Sequence, residues 1–359
     1  MFLIIGCQKE KIVERPTDNN PPLVEKDVNV IWQTPINTDK SILSSIEPII
    51  TDNGIIVSAY NWEDNEVVRK FDLSNGQMIW EWSDYININP GQKLRGVQSI
   101  LISNDILVGS SQQDHYGINT ITGLSEWSTL IDHRDQFISS FESTYFHTMS
   151  YGNNSISDSS TLNICNVFNG VCQEVIKFKK DGNFDPHIYG TATFKNTIND
   201  TIVIFQNRAY NRALNEIKVN YHCYNITQKR MEWEHLDAEI WDNSNIRAPL
   251  IDGDYCYFVG LASAYCFNIH TGEKIWQYDH DVAWQLSNYL IHENNFIIKD
   301  DQSNLLAINK NSGQLRWKNT DASACCVTMR LYGDRIYYCL LYTSPSPRDA
   351  TLSRMPSSA

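Results

Sequence analysis

The sequence has no apolar run approaching the ~18 residues that a membrane-spanning helix needs. Its 29 Lys and Arg residues form no run or stripe. The first absence leaves out a chain that crosses a bilayer as helices. The second, with a formal net charge of -13, argues against a nucleic-acid surface. A sustained 3.6-residue period is also missing, which excludes helical solenoids. The histidines and acids do not fall at the spacing of a known metal site. What is present is 42% hydrophobic and 11% aromatic residues, enough for a large core. The acidic balance suits basic or metal-bearing partners, or simply solubility. A length of 359 residues fits two or three ordinary domains or one repeat fold.

One ten-residue pattern recurs six times: FDLSNGQMIW from Phe71, INTITGLSEW from Ile118, CNVFNGVCQE from Cys165, YNITQKRMEW from Tyr224, FNIHTGEKIW from Phe267 and INKNSGQLRW from Ile308. An Asp or Asn leads each turn (Asp72, Asn119, Asn166, Asn225, Asn268, Asn309). Glycine follows four places on (Gly76, Gly123, Gly170, Gly272, Gly313), replaced once by Lys229. Tryptophan follows four places after that (Trp80, Trp127, Trp233, Trp276, Trp317), replaced once by Glu174. The Asx side chain caps the turn, glycine supplies the positive φ that closes it, and tryptophan in the outgoing strand seals the gap to a neighbouring sheet. Two further apolar runs precede each turn, which makes four short strands per repeat. Successive capping residues lie 47, 47, 59, 43 and 41 apart, the length of one four-stranded blade. The long interval holds NRAYNRALNEIKVNYHCY, read as an extended inner hairpin.

The fold expected is therefore all-β, a β-propeller with six full blades and one composite or incomplete blade. That makes seven, with an eighth left open for an intact gene. NVIWQT at residues 29–34 matches the outer, Trp-bearing strand with no turn before it, and VTMRLYGDRIYYCLL supplies inner strands at the other end. Joined, they would close the ring and remove free sheet edges, with at least one strand missing where it closes. The propeller is expected over residues 29–340.

The pattern A-x-D-x-x-T-G-x-x-x-W resembles the pyrroloquinoline-quinone-like (PQQ-like) propeller repeat, over roughly residues 29 to 340. That family hosts quinoprotein dehydrogenases and also non-enzymatic lipoproteins, including a scaffold of the outer-membrane β-barrel assembly machine. Fold alone does not choose between them. The dehydrogenase reading implies PQQ and calcium held by a Glu/Asn/Asp set with a catalytic Asp, and no such set can be assigned here. The adjacent Cys325 and Cys326 fit its vicinal disulfide, or equally two buried strand residues.

MFLIIGCQKE resembles the lipobox of bacterial lipoproteins, with lipid attachment at Cys7. Only six residues precede Cys7 and there is no basic n-region, so residues 1–7 are read as a truncated signal. A buried apolar N-terminal strand is the alternative. Residues 8–28 read as a disordered tether, and Gln8 implies outer-membrane sorting by resemblance. Residues 341–359, LYTSPSPRDATLSRMPSSA, leave the strand pattern and are read as a non-native disordered tail.

Candidate binding residues come from the loops entering each blade: Asp84, Asp132, Asp237, Asp279 and Asp321, joined by His133 and His280. A ring of these could hold a cation or a basic peptide, although Asp is also a common turn former. Trp62, Trp241 and Trp284 stand outside the repeat position and suit partner anchoring or loop packing. Cys165 with Cys172, and Cys256 with Cys266, are each placed for either a cross-strand disulfide or two free thiols. Cys223 and Cys266 share one repeat position, which points to packing. The expectation is a lipid-anchored, non-catalytic binding or scaffold propeller, monomeric and without cofactor, with envelope proteins or peptides as partners. A PQQ-dependent dehydrogenase and a carbohydrate- or peptide-binding surface lipoprotein are the alternatives.

Overall fold

A computed structural model of the chain describes residues 2–4, 31–35, 48–59, 67–82, 99–110, 114–130, 137–141, 144–149, 158–211, 213–214, 216–240, 248–260, 263–280, 288–299, 304–320, 329–332 and 335–338. Among the described residues the regular structure is entirely strand. β1 (Phe2–Ile4) pairs with β2 (Gln33–Pro35). Six four-stranded antiparallel sheets follow, each made of strands consecutive in sequence. Blade 1 holds β3 to β6 (Ile49–Thr51, Gly54–Ala59, Val67–Asp72, Met78–Trp82), and blade 2 holds β7 to β10 (Ser99–Ser103, Ile106–Ser110, Asp114–Asn119, Ser125–Leu130). Blade 3 holds β11 to β14 (Phe137–Phe141, Tyr145–Met149, Ser159–Asn166, Cys172–Lys179), and blade 4 holds β15 to β18 (Asp185–Lys195, Thr201–Asn211, Glu216–Asn225, Arg230–Ile240). Blade 5 holds β19 to β22 (Leu250–Asp252, Tyr255–Val259, Ser263–Asn268, Lys274–Asp279), and blade 6 holds β23 to β26 (Leu290–His292, Asn295–Lys299, Leu305–Asn309, Leu315–Asn319). A final pair, β27 (Met329–Tyr332) and β28 (Arg335–Tyr338), completes the order.

Burial explains the strand sequences. Middle strands are covered on both faces by neighbouring blades, so they read as continuous apolar runs. NFIIK in β24, for example, is buried throughout. Outer strands alternate: in MIWEW of β6 the two tryptophans face inward and their neighbours outward.

The Asx-led turns are built alike. The backbone N–H of the glycine donates to the carbonyl of the Asx residue four places back, as Gly123 does to Asn119 at 2.8 Å. The Asx side chain accepts from the N–H groups that the turn leaves over: Asn119 Oδ1 from Ile121 and Thr122, and Asn268 Oδ1 from His270 and Thr271. The glycines take φ between 67° and 73° here, in the left-handed region.

The tryptophan of each blade closes on the turn of the next. Trp32, Trp80, Trp127, Trp233 and Trp276 donate Nε1–H to the carbonyls of Leu73, Thr120, Val167, Ile269 and Lys310. Their rings lie on Gly76, Gly123, Gly170, Gly272 and Gly313. A Cβ at Gly123 would come within 2.6 Å of Trp80 Cγ, and one at Gly272 within 2.7 Å of Trp233 Cγ. The two departures from the repeat thus answer one steric constraint. Blade 3 has Glu174 in place of tryptophan, and the next turn, in blade 4, is the one with Lys229 (φ 55°) in place of glycine. Without an indole over the turn, a side chain fits there. Phe178, further along β14, packs that seam instead, edge-on to Phe205 at 5.9 Å and beside Ile226 and Met231.

The expected composite blade is represented by its two halves. Trp32 packs on Ile55, Val57 and Phe71 of blade 1, while Met329 and Ile336 pack on Ile297, Leu305 and Ala307 of blade 6. Among the described residues β2 is laddered to β1 and β27 to β28, with no ladder between the halves. Phe2–Ile4, assigned to a signal segment from the sequence, forms strand β1 in this structure. Cys7, the tether and the tail lie outside the described residues, as do Cys325 and Cys326.

The cysteine pairs separate by register. Cys165 and Cys172 are direct cross-strand partners and form a disulfide. Cys256 and Cys266 are not opposed: Cys256 faces Phe267, and Tyr257 faces Cys266. That one-residue offset sends them to opposite faces of the sheet, Cys256 into the core shared with blade 4 and Cys266 into the one shared with blade 6. Both are free and buried. Burial raises the Cys256 thiol well above its ordinary range and that of Cys266 to about 12, so both are inert as nucleophiles. Cys223 and Cys266 stand directly opposite Trp233 and Trp276 and pack beneath the indoles.

Candidate binding surface

Blade 4 stands taller than blade 5. Ile202 pairs with Asn225 as Tyr255 pairs with Asn268, so the two blades align on their Asx residues. On that alignment β16, β17 and β18 run four or five residues past the ends of β20, β21 and β22, roughly 15 Å at 3.3 Å per residue, and β15 starts seven residues before the start of β19. The sequence suggested a longer inner hairpin. The structure extends all four strands, because β15 and β18 stay paired with β16 and β17 beyond the register shift that each contains. Asn211 holds the hairpin tip, its Oδ1 accepting from the N–H groups of Ala213 and Leu214 at 3.2 and 3.3 Å. Leu214 at the tip is 70% exposed, and Leu236 on the outer strand β18 is also exposed.

The inside of the raised sheet is polar. On the side that continues toward blade 5, Arg208 is buried with its guanidinium 4.5 Å from the Tyr189 ring centre, and His187 stacks on the same ring at 6.2 Å. Gln206 is fully buried on this side. On the other side Asn220 Oδ1 accepts from the Asp237 N–H at 2.8 Å, and Lys218 lies between Asp237 at 3.2 Å and the Phe184 ring. Lys180 and Asp185 pair at 2.9 Å at the base of β15. Such contacts fix side-chain positions while leaving an apolar tip and an outer strand edge available. The surface has the makings of recognition: a rigid projecting edge, two exposed leucines and no activated nucleophile.

Three of the sequence-derived loop residues are described. Asp237 lies within β18, where a φ of 50° and a register shift mark a bulge, and not in an entering loop. Asp279 ends β22 and accepts from Gln277 and Ser263, both at 2.7 Å. The Gln277 hydrogen bond, followed by that of Ser263, holds its carboxyl below the usual range. His280 beside it is buried. Asp237 and Asp279 are each committed to their own sheet. Trp62, Asp84, Asp132, His133, Trp241, Trp284 and Asp321 lie outside the described residues. Among the described residues no group of three His, Cys, Asp or Glu side chains could hold a metal ion. The sequence reading missed Arg208, Tyr189 and Leu214. The 59-residue interval marked their blade, but only the register shows which residues stand above the ring.

Residues 200–338 match the PQQ_2 family model, described as "Outer membrane protein assembly factor BamB". Among solved structures the fold is similar to BamB from Moraxella catarrhalis at 12% identity and a TM-score of 0.58, covering 94% of both chains. The computationally designed Ika8 protein also matches, at 14% identity and a TM-score of 0.45, covering 81% of this chain and 95% of that one. No curated protein matches. The chain thus has a β-propeller fold similar to that of BamB, and residues 200–338 match the family that its repeats resemble.

Proposed function

We propose that this chain is a non-catalytic envelope propeller that binds protein segments during outer-membrane protein assembly. One observation carries the reading: the segment matching the BamB family model, 200–338, contains the whole of β16, β17 and β18, and with them most of the raised sheet of blade 4. In this role the free edge of β18 adds an extended partner strand, and Leu214 and Leu236 receive apolar side chains of that partner. The chain acts as a monomer without cofactor, anchored by lipid at Cys7 to the outer membrane.

The test is a photo-cross-linking residue placed at position 214 in the cell. Adducts with the barrel-assembly machinery, lost when the β18 edge carries Leu236→Pro and weakened by Leu236→Asp, are the expected outcome. Adducts only with soluble sugars or with no envelope protein would sink the reading. A rise in melting temperature with PQQ and Ca²⁺ together would sink its non-catalytic part.

A further inference from the structure

The Asx-turn face carries a second surface, on blades 2 and 3. In each turn the second and fifth residues after the Asx point out to solvent. Blades 1, 4, 5 and 6 place Ser74 and Gln77, Thr227 and Arg230, His270 and Glu273, and Asn311 and Gln314 there. Blades 2 and 3 place Ile121 and Leu124, then Phe168 and Val171, exposed at 64%, 63%, 54% and 65%. Neither 119–125 nor 166–172 contains a charged residue. The two turns are neighbours, since Trp127 of blade 2 donates to Val167 of the blade 3 turn. Elsewhere Ile275 and Leu315 are exposed at outer-strand starts and Ile198 in the β15–β16 turn of blade 4, while the other four Asx-led turns carry no apolar pair. Four large exposed side chains on two neighbouring turns are the kind of apolar feature that marks a contact surface.

We propose that this face seats in the headgroup region of a zwitterionic lipid bilayer, with Ile121, Leu124, Phe168 and Val171 as the inserted side chains. Two observations bear on lipid as the occupant: one selects it and one permits it. The first is chain direction. Trp32 sits at the Asx end of its strand, beside the Leu73 carbonyl, so the chain enters β2 from that face. Ile31, where the described chain resumes, therefore lies on the side of the apolar turns. This part rests on the lipid-anchor reading of Cys7. The second is the backbone. A turn that enters an apolar layer must satisfy its own N–H groups. Here Asn119 Oδ1 caps Ile121 and Thr122, Asn166 Oδ1 caps Phe168, and Gly123 and Gly170 donate to Asn119 and Asn166. The Cys165–Cys172 disulfide closes the base of the blade 3 turn. The charge of -13 disfavours anionic lipid, so a neutral headgroup fits best.

The experiment floats the full chain with Cys7→Ala, which cannot be lipidated, on phosphatidylcholine vesicles. Flotation is expected, with an approximately tenfold lower partition for Ile121→Ser combined with Phe168→Ser and no change for the control Ile275→Ser. Urea midpoints equal to the parent confirm that the variants fold. Absence of flotation by the Cys7→Ala chain, or equal flotation by the patch variant, overturns the proposal. So does a patch variant that abolishes self-association in sedimentation while leaving flotation intact, which would make the face a contact between two copies. Mass spectrometry of the wild-type chain for lipid at Cys7 decides the anchor separately.

Discussion

Gly272→Ala is a sharp test of how the blades are joined. The alanine Cβ would lie 2.7 Å from Trp233 Cγ and 2.8 Å from Trp233 Cβ, and the residue must keep φ near 73°. The left-handed conformation costs an L-residue about 1–2 kcal/mol, and forcing a methyl into a filled site costs about 1–3 kcal/mol more. A loss of roughly 2–5 kcal/mol is expected in urea unfolding. Lys229 holds the same repeat position at φ 55° with no indole over it, so Lys229→Gly should be within about 1 kcal/mol of neutral and can be stabilising through relief of the same conformation. The cause separates from generic turn damage in a double-mutant cycle. Trp233→Ala alone should cost about 3–5 kcal/mol by leaving a cavity. In its background Gly272→Ala should cost only the conformational part, a coupling of about 1–3 kcal/mol. Additivity of the two substitutions, or a cost of Lys229→Gly as large as that of Gly272→Ala, would refute the reasoning.

Other outcomes follow from the same geometry. His147 and His222 are held neutral, burial taking each from an ordinary 6.5 to about 4. The unfolded chain binds those protons first, so stability is full above about pH 6.5 and falls on acidification toward pH 4. Each site contributes roughly 1–3 kcal/mol, and His222→Phe, checked by pH-dependent thermal melts, should flatten part of that slope. The Cys165–Cys172 disulfide spans a short loop, so Cys165→Ser with Cys172→Ser should cost about 2 kcal/mol under oxidising conditions and nothing in excess dithiothreitol; equal losses in both buffers would refute a covalent role. Leu214→Asp, exposed at the hairpin tip, should leave the urea midpoint within about 0.5 kcal/mol of the parent while reducing cross-links to envelope partners.

The sequence by itself determined the blades. Asx, glycine and tryptophan at fixed spacing are local or nearest-neighbour requirements, so they repeat visibly in one dimension, and the 59-residue interval already marked blade 4 as different. Tertiary structure decided what depends on register and on neighbours. Whether Cys256 meets Cys266 turns on a single residue of strand offset, which no spacing count resolves. That Glu174 and Lys229 answer one steric constraint appears only when the outer strand of blade 3 is set against the turn of blade 4, because that constraint acts between blades. The apolar pairs Ile121 with Leu124 and Phe168 with Val171 are plain in the sequence. Only stacking of the blades makes them one surface, on the face from which the chain enters β2.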